Sequence, residues 1–327
     1  MARRPRNICR LFLPGKAKNV GNDSSLSDQH QHSVKTRKTF VLLTASLLLL
    51  PAVLKAQPSA HYVPGSEGIK AASLPPPGVY ARDYNYCYWS GQFNDPSGND
   101  SHVPNADVLT YANIPRVIWI TDTKVLGGFV GVDGLLPLVY QSVKAGGFDD
   151  STFGIGDLFI EGTLSWHTKQ FDFAIGSGVW APTGDSASPL TTRIGKGFWT
   201  FMQTAGATWY MDEAKSWSVS ALGRYEINTE HRDTHATPGQ VCTLEWGISK
   251  GVCKEAELGV VGYYQQQVTA DCDSTTSGRN RVAAVGPEIS TMLPKQMLFI
   301  SLRYNYEFMA ENRAQGSAVT LTLTKRF

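Results

Sequence analysis

Residues 296–327 read QMLFISLRYNYEFMAENRAQGSAVTLTLTKRF. In the first half Leu298, Ile300, Leu302, Tyr304, Tyr306 and Phe308 share one parity. Met297, Phe299, Ser301, Arg303, Asn305 and Glu307 share the other. Successive side chains of a strand point to opposite faces, so this stretch predicts a strand with one apolar and one polar side. After a polar break the alternation returns, with Val319, Leu321 and Leu323 against Thr320, Thr322 and Thr324.

The same period of two recurs upstream. Leu158, Ile160, Leu164 and Trp166 oppose Asp157, Glu161 and His167. Trp217, Val219, Ala221 and Tyr225 oppose Ser218, Ser220, Arg224 and Glu226. These segments run to roughly 10–13 residues, close to what a tilted strand needs to cross a bilayer. Strands of soluble sandwiches are shorter, typically about 5–6 residues. Links alternate between short ones (121–124, 168–170, 211–216, 250–256, 294–295) and longer ones (91–106, 141–154, 183–197, 228–240, 268–280, 309–316). Aromatics gather at segment ends: Trp119, Trp166, Phe171, Trp209 and Trp217 at one level, and Tyr140, Trp199, Tyr225, Tyr264 and Phe308 at the other. Together these predict an all-β, antiparallel transmembrane barrel of about twelve strands. Short turns face the periplasm and long loops face outward. The 107–121 segment fits less cleanly, because Val117 and Trp119 compete with Ile118 and Ile120 for the apolar face. Pro115 and Pro287 remove ladder donors and predict bulges.

The formal charge of +2 hides an asymmetry. Ten Lys/Arg and two Asp/Glu lie in residues 1–56, which leaves 57–327 at −6. No basic face remains for nucleic acid. Arg37 and Lys38 precede the apolar run TFVLLTASLLLLPAVL, and Lys-Ala-Gln follows. This is the layout of a secretory signal, with the expected cut after Ala56. The expected organisation is a gene-model extension over 1–33, a signal peptide over 34–56, a lead or plug segment over 57–79, and the barrel over 80–327. Beyond Leu54 no apolar run reaches the roughly 18 residues of a helical span. The five cysteines show no CxxC spacing and predict no zinc site. Cys242 and Cys272 fall near outer loops, where they could form a disulfide or remain two unpaired small residues. No cofactor or metal is expected.

The polar parity defines a candidate lumen. It holds Asp133, Asp157, Glu161, Asp172, Arg224, Glu226, Glu245, Glu257, Glu288, Arg303 and Glu307, with Phe129, Phe159, Val261, Tyr263 and Phe299 among them. Carboxylates and arginines interleaved in this way either brace the wall or line a path. The apolar members suit a hydrophobic or aromatic solute better than a wide aqueous pore. Gly176 and Gly178 also face inward. Pro75-Pro76-Pro77 is stiff and extended, so Glu67 or Lys70 just before it could meet wall charges inside the barrel.

Three stretches carry a resemblance. They are GSEGIKAASLPPPGVYAR (65–82) with DYNYCYWS after it, GIGDLFIEGTLSW (154–166) and GSGVWAPTGD (176–185). Over most of 65–327 the chain resembles the MetA-pathway of phenol degradation family. The resemblance implies a bacterial outer-membrane channel with a link to aromatic catabolism, and it brings no catalytic residues. A last strand ending in Phe327 likewise resembles the signal read by the outer-membrane barrel assembly machinery. The expected function is passive uptake of small hydrophobic or aromatic compounds by a protein that is not an enzyme. The alternatives are a barrel lipase or protease, for which EHRDTH at 230–235 offers His and Asp together, and a structural or adhesion barrel. The glycines at 154–156 lack the phosphate-binding fingerprint.

Overall fold

A computed structural model describes residues 60–184, 193–273 and 278–327. The extension and signal peptide expected over 1–56 lie outside the described residues. The strands are β1 (Gly78–Ser90), β2 (Asp107–Val125), β3 (Gly128–Leu135), β4 (Leu138–Ala145), β5 (Phe148–Ile155), β6 (Leu158–His167), β7 (Phe171–Ala181), β8 (Thr200–Tyr210), β9 (Trp217–Asn228), β10 (Val241–Gly251), β11 (Ala256–Gln267), β12 (Arg281–Leu293), β13 (Leu298–Glu311) and β14 (Ser317–Arg326). All pairings are antiparallel, and β1 pairs with both β14 and β2, which closes the sheet into a barrel. β3 and β4 are two halves of one wall strand, as are β5 and β6, so the barrel has twelve strands.

Those halves part where the ladder loses donors. Asn113 pairs with Leu138 and Arg116 with Leu135; between them Pro115 faces the Leu136–Pro137 gap. Neither proline has an N–H to give. The remaining links are Leu136 N–H to Pro115 O (3.3 Å) and Gly156 N–H to Pro137 O (2.7 Å). The register slips by one residue there, from Leu135↔Phe159 to Leu138↔Ile155. At Pro287 the ladder to β13 is interrupted, just after a bulge at Ala283/Ala284.

The exterior carries the apolar parity. Leu302, Tyr304, Tyr306 and Phe308 are exposed on β13, and Ile175, Val260, Leu244 and Ile289 continue the belt. Trp119, Phe171, Trp209 and Trp217 are exposed at the short-turn end, and Tyr140, Trp199 and Phe308 at the other. An apolar exterior between aromatic girdles belongs in the bacterial outer membrane. On β2 the ambiguity resolves: Val117 and Trp119 are 60% and 56% exposed, while Ile118 and Ile120 are each 1% exposed. The inner face is apolar here because Ile118 and Ile120 pack on Tyr80 and Leu74, beside the proline-rich segment. Ile175→Arg, mid-strand on the belt, is expected to cost about 2–4 kcal/mol, read as a lowered urea midpoint in vesicles.

Two expectations are corrected. Residues 141–154 are not a long loop: β4 and β5 run to Ala145 and from Phe148 around Gly146 and Gly147, whose φ values of 58° and 99° suit a tight hairpin. Their alternation faded because polar Lys144, Asp149, Asp150 and Ser151 occupy the tip, where no lipid demands an apolar face. Cys242 does not pair with Cys272. It is a free, exposed cysteine among the outward positions of β10, whereas Cys272 lies in the loop zone, its backbone hydrogen-bonded to that of Thr237. A disulfide needs the two Cβ atoms to face each other, and an outward strand side chain does not face the loop.

Candidate functional site

Strand parity places the polar residues inside. Asp133, Asp157, Glu161, Asp172, Arg224, Glu226, Glu245, Glu288, Arg303 and Glu307 are all buried, as are Phe159, Val261 and Tyr263. Phe129 is half-buried against the Tyr80 cluster. Phe299 shares its face with buried Thr324 but is 45% exposed, because it sits at the periplasmic mouth.

What these residues face is the chain's own N-terminal segment. It enters the lumen beside β1 and runs outward to His61, which lies near the outer ends of β8 and β9. Among the described residues its backbone pairs with no strand, and wall carboxylates take up five of its N–H groups instead. Glu226 on β9 accepts from His61 (2.8 Å) and Tyr62 (3.0 Å). Glu245 on β10 accepts from Gly65 (2.9 Å) and Glu67 (3.0 Å). Glu288 on β12 accepts from Ile69 (2.9 Å). On β11, Glu257 pairs with Lys70 Nζ at 2.8 Å. A buried N–H without a partner is costly, and charge-assisted bonds are the stronger ones, so these acidic wall strands substitute for a sheet neighbour.

Arginines balance the carboxylates. Arg116 meets Asp133 (2.9 Å), Glu67 (3.3 Å) and Glu161 (3.6 Å). Arg82 also reaches Glu67, at 3.2 Å. Arg224 pairs with Glu245 at 2.6 Å, Arg303 with Glu288 at 2.9 Å, and Arg313 with Glu307 at 3.5 Å. Asp172 lies apart, near the periplasmic end, between His167 and Tyr210.

Above this charged layer lies a cavity of about 260 Å³. Its walls include Ala112, Ile114, Leu135, Val139, Phe159, Trp180 and Met202. Its floor is formed by Tyr62, Glu67, Arg116, Glu161 and Arg224. Pro137 and Gly156 of the strand break line it too. A dry apolar cavity of about 150 Å³ is enough to take up benzene, so this one has room for a substituted ring. Both floor arginines already hold carboxylates, so the cavity presents a paired polar base under largely apolar walls; Asp157, Arg193 and Lys196 complete its lining. Of the lumen candidates it gathers Asp157, Phe159, Glu161 and Arg224. Glu288, Arg303, Glu307, Tyr263, Phe129 and Phe299 lie elsewhere in the barrel.

Several residues of the site had not been singled out from sequence: Arg116, Trp180, Met202 and the His61–Tyr62 pair. Parity would have found Trp180, two residues beyond inward Gly178. The two inward glycines have specific neighbours. A Cβ on Gly178 would come within 2.5 Å of the Phe159 ring and 2.9 Å of Ile160 O, and one on Gly176 would meet the Glu161 side chain. Gly178→Val is therefore expected to push Phe159 into the cavity at a cost of about 1–3 kcal/mol, checked by thermal unfolding and by loss of ligand-accessible volume.

The histidines of the 230–235 loop hold the loop itself. His231 Nδ1 accepts the N–H of Asp233 (3.1 Å) and Thr234 (3.3 Å). Burial, aided by the nearby Arg193 charge, pushes its imidazole below the ordinary value, which suits an acceptor nitrogen. His235 pairs with Glu230 at 2.6 Å in the open.

The profile of the family described as "Putative MetA-pathway of phenol degradation" matches residues 90–323. Among solved structures the chain is similar to the COG4313 outer membrane channel from Pseudomonas putida F1. The TM-score is 0.70 at 14% identity, covering 82% of this chain and 100% of that one. It is also similar to the beta domain of the Bordetella autotransporter BrkA, with a TM-score of 0.46, 13% identity, and 76% and 99% of the two chains covered. A FadL homologue of Pseudomonas aeruginosa gives 0.39 and 11% identity over 84% and 95%. At these identities the likeness is one of fold. No curated protein matches.

Proposed function

This chain belongs to the phenol-degradation family whose profile it matches, and from that premise we propose that it is an outer-membrane channel for small hydrophobic or aromatic compounds, which cross passively through the barrel. The observation that carries the reading is the cavity. It lies in the outer half of the lumen, has apolar walls, and ends on a base whose charges are already paired. An anionic solute would find no unpaired cation at that base, and a sugar would leave hydroxyl groups unmatched wherever it met the apolar wall residues Ala112, Ile114, Leu135, Val139 and Met202. The N-terminal segment below acts as a plug that a solute must pass. Transport suits this lumen better than catalysis, because its buried carboxylates are engaged by arginines and backbone N–H groups. Assembly follows the ordinary barrel route, with β14 as the closing strand.

The test uses Gram-negative cells with an intact lipopolysaccharide leaflet, which slows apolar solutes. Cells carrying the barrel should take up radiolabelled toluene several-fold faster than cells without it, with little change for a disaccharide. Equal toluene rates would remove the proposal.

A further inference from the structure

Tyr62 of the plug enters the wall's aromatic cluster, beside His61, whose ring stacks on Trp180 at 5.4 Å. Its ring packs in a buried cluster with Phe159, Trp180 and Met202, with Leu135 against it. The Arg224 guanidinium lies over the ring, 4.0 Å from its centroid. Its O–H donates to Glu245 Oε2 at 2.7 Å, and the same oxygen receives Arg224 Nη1 at 2.6 Å. The slot therefore supplies what a phenol asks for: apolar and aromatic walls, a cation over the π-face, and a carboxylate for the hydroxyl proton. It also adjoins the outer cavity, whose lining shares Tyr62, Phe159, Trp180, Met202 and Arg224.

We propose that the Tyr62 side chain stands in for cargo: it occupies a phenol-binding subsite of the barrel wall, and a phenolic solute arriving in the outer cavity takes its place. This deepens the transport reading and rests on it. The backbone of Tyr62 is held independently of its ring, with N–H to Glu226 and the carbonyl receiving Gln265 Nε2 at 3.1 Å. The ring can thus rotate out about its own side-chain bonds while the plug stays in place. It has somewhere to go, because the cavity it borders is the space that the incoming solute vacates. Exchanging one buried phenol for another leaves burial and hydrogen bonding nearly unchanged. What remains is the association cost of the solute, so the step is driven by solute concentration. A hydrocarbon ring can fill the slot, but it leaves Glu245 without the hydroxyl proton.

The experiment uses the full barrel in detergent micelles, with 4-methylphenol and toluene as probes. Wild-type protein carrying 3-fluorotyrosine at position 62 should show a second fluorine resonance that grows with 4-methylphenol. Toluene should produce it only at about tenfold higher concentration, the worth of one charge-assisted hydrogen bond. Tyr62→Ala should bind 4-methylphenol about tenfold or more tighter than wild type, because the competing ring is gone. Adding Glu245→Leu should erase the preference over toluene. A fluorine resonance that does not respond to either probe overturns the proposal, whether or not Tyr62→Ala folds. The transport reading fails separately: if 4-methylphenol moves the Tyr62 signal but cells gain no uptake, the subsite stands and transport falls. If cells gain uptake while the signal is still, transport stands and the subsite falls.

Discussion

Deletion of residues 60–73 is expected to turn an occluded barrel into an open, cation-selective pore, with single-channel conductance raised about tenfold or more given a twelve-strand polar lumen. The segment runs through the lumen from His61, near Thr200 and Asp157 at the outer end, to Ser73, 3.2 Å from Tyr210 Oη at the periplasmic end. Five wall carboxylates, Asp157, Glu226, Glu245, Glu257 and Glu288, hold it along the way. With the segment gone these groups face water and recover hydration, so the barrel keeps its fold, and the freed negative charge favours cations. Planar-bilayer recording checks this. An unchanged conductance would mean that the segment does not occlude.

The second large effect is expected at Arg116. It is buried and serves Glu67, Asp133 and Glu161 at once. Arg116→Leu leaves Asp133 and Glu161 without their cation and takes one of two from Glu67, and breaking a buried ion pair on one side costs about 3–5 kcal/mol. The same change loosens the plug, because Glu67 keeps only Arg82 and the Tyr84 hydroxyl. The expected result is a lowered urea midpoint in vesicles together with intermittent opening in bilayers. Arg116→Lys keeps the charge but not the planar fork, and should lie between. A loss below about 1 kcal/mol, typical of an exposed ion pair, would show that water already screens this network.

Arg116 also shows where sequence reading stops. Parity identified the strands of β6, β9, β13 and β14 and put the acidic residues inside, because lipid on one side and a polar lumen on the other enforce a period of two. β2 obeys the same parity, but its inner positions Ile114, Ile118 and Ile120 are apolar and hid Arg116 among them. They are apolar because Tyr80 and Leu74 pack onto Ile118 and Ile120, and Ile114 lines the cavity. No local rule announces that covering. The β4–β5 hairpin was missed for the opposite reason: at its tip the chain has water on both sides, so the sequence does not alternate. The glutamates of β9, β10 and β12 were recognised as inward, but not as acceptors for the backbone of a segment more than 150 residues away. Composition says that such a carboxylate needs a donor. Only the fold says that the donor is His61, Tyr62, Gly65, Glu67 or Ile69. Gly68 reports the same fit from the other side, since any Cβ there would strike the Glu288–Arg303 pair.

The claim that joins these observations is that solutes travel by way of the outer cavity. Ala112 is buried on its wall beside Tyr84 and Ile114, so Ala112→Trp fills the space from a strand while leaving every charged residue of the floor in the sequence. The decisive measurement is the initial rate of toluene uptake by cells carrying this variant, assembled to wild-type levels in the outer membrane. The cavity route predicts a rate reduced to that of cells lacking the protein; uptake at the wild-type rate would contradict it.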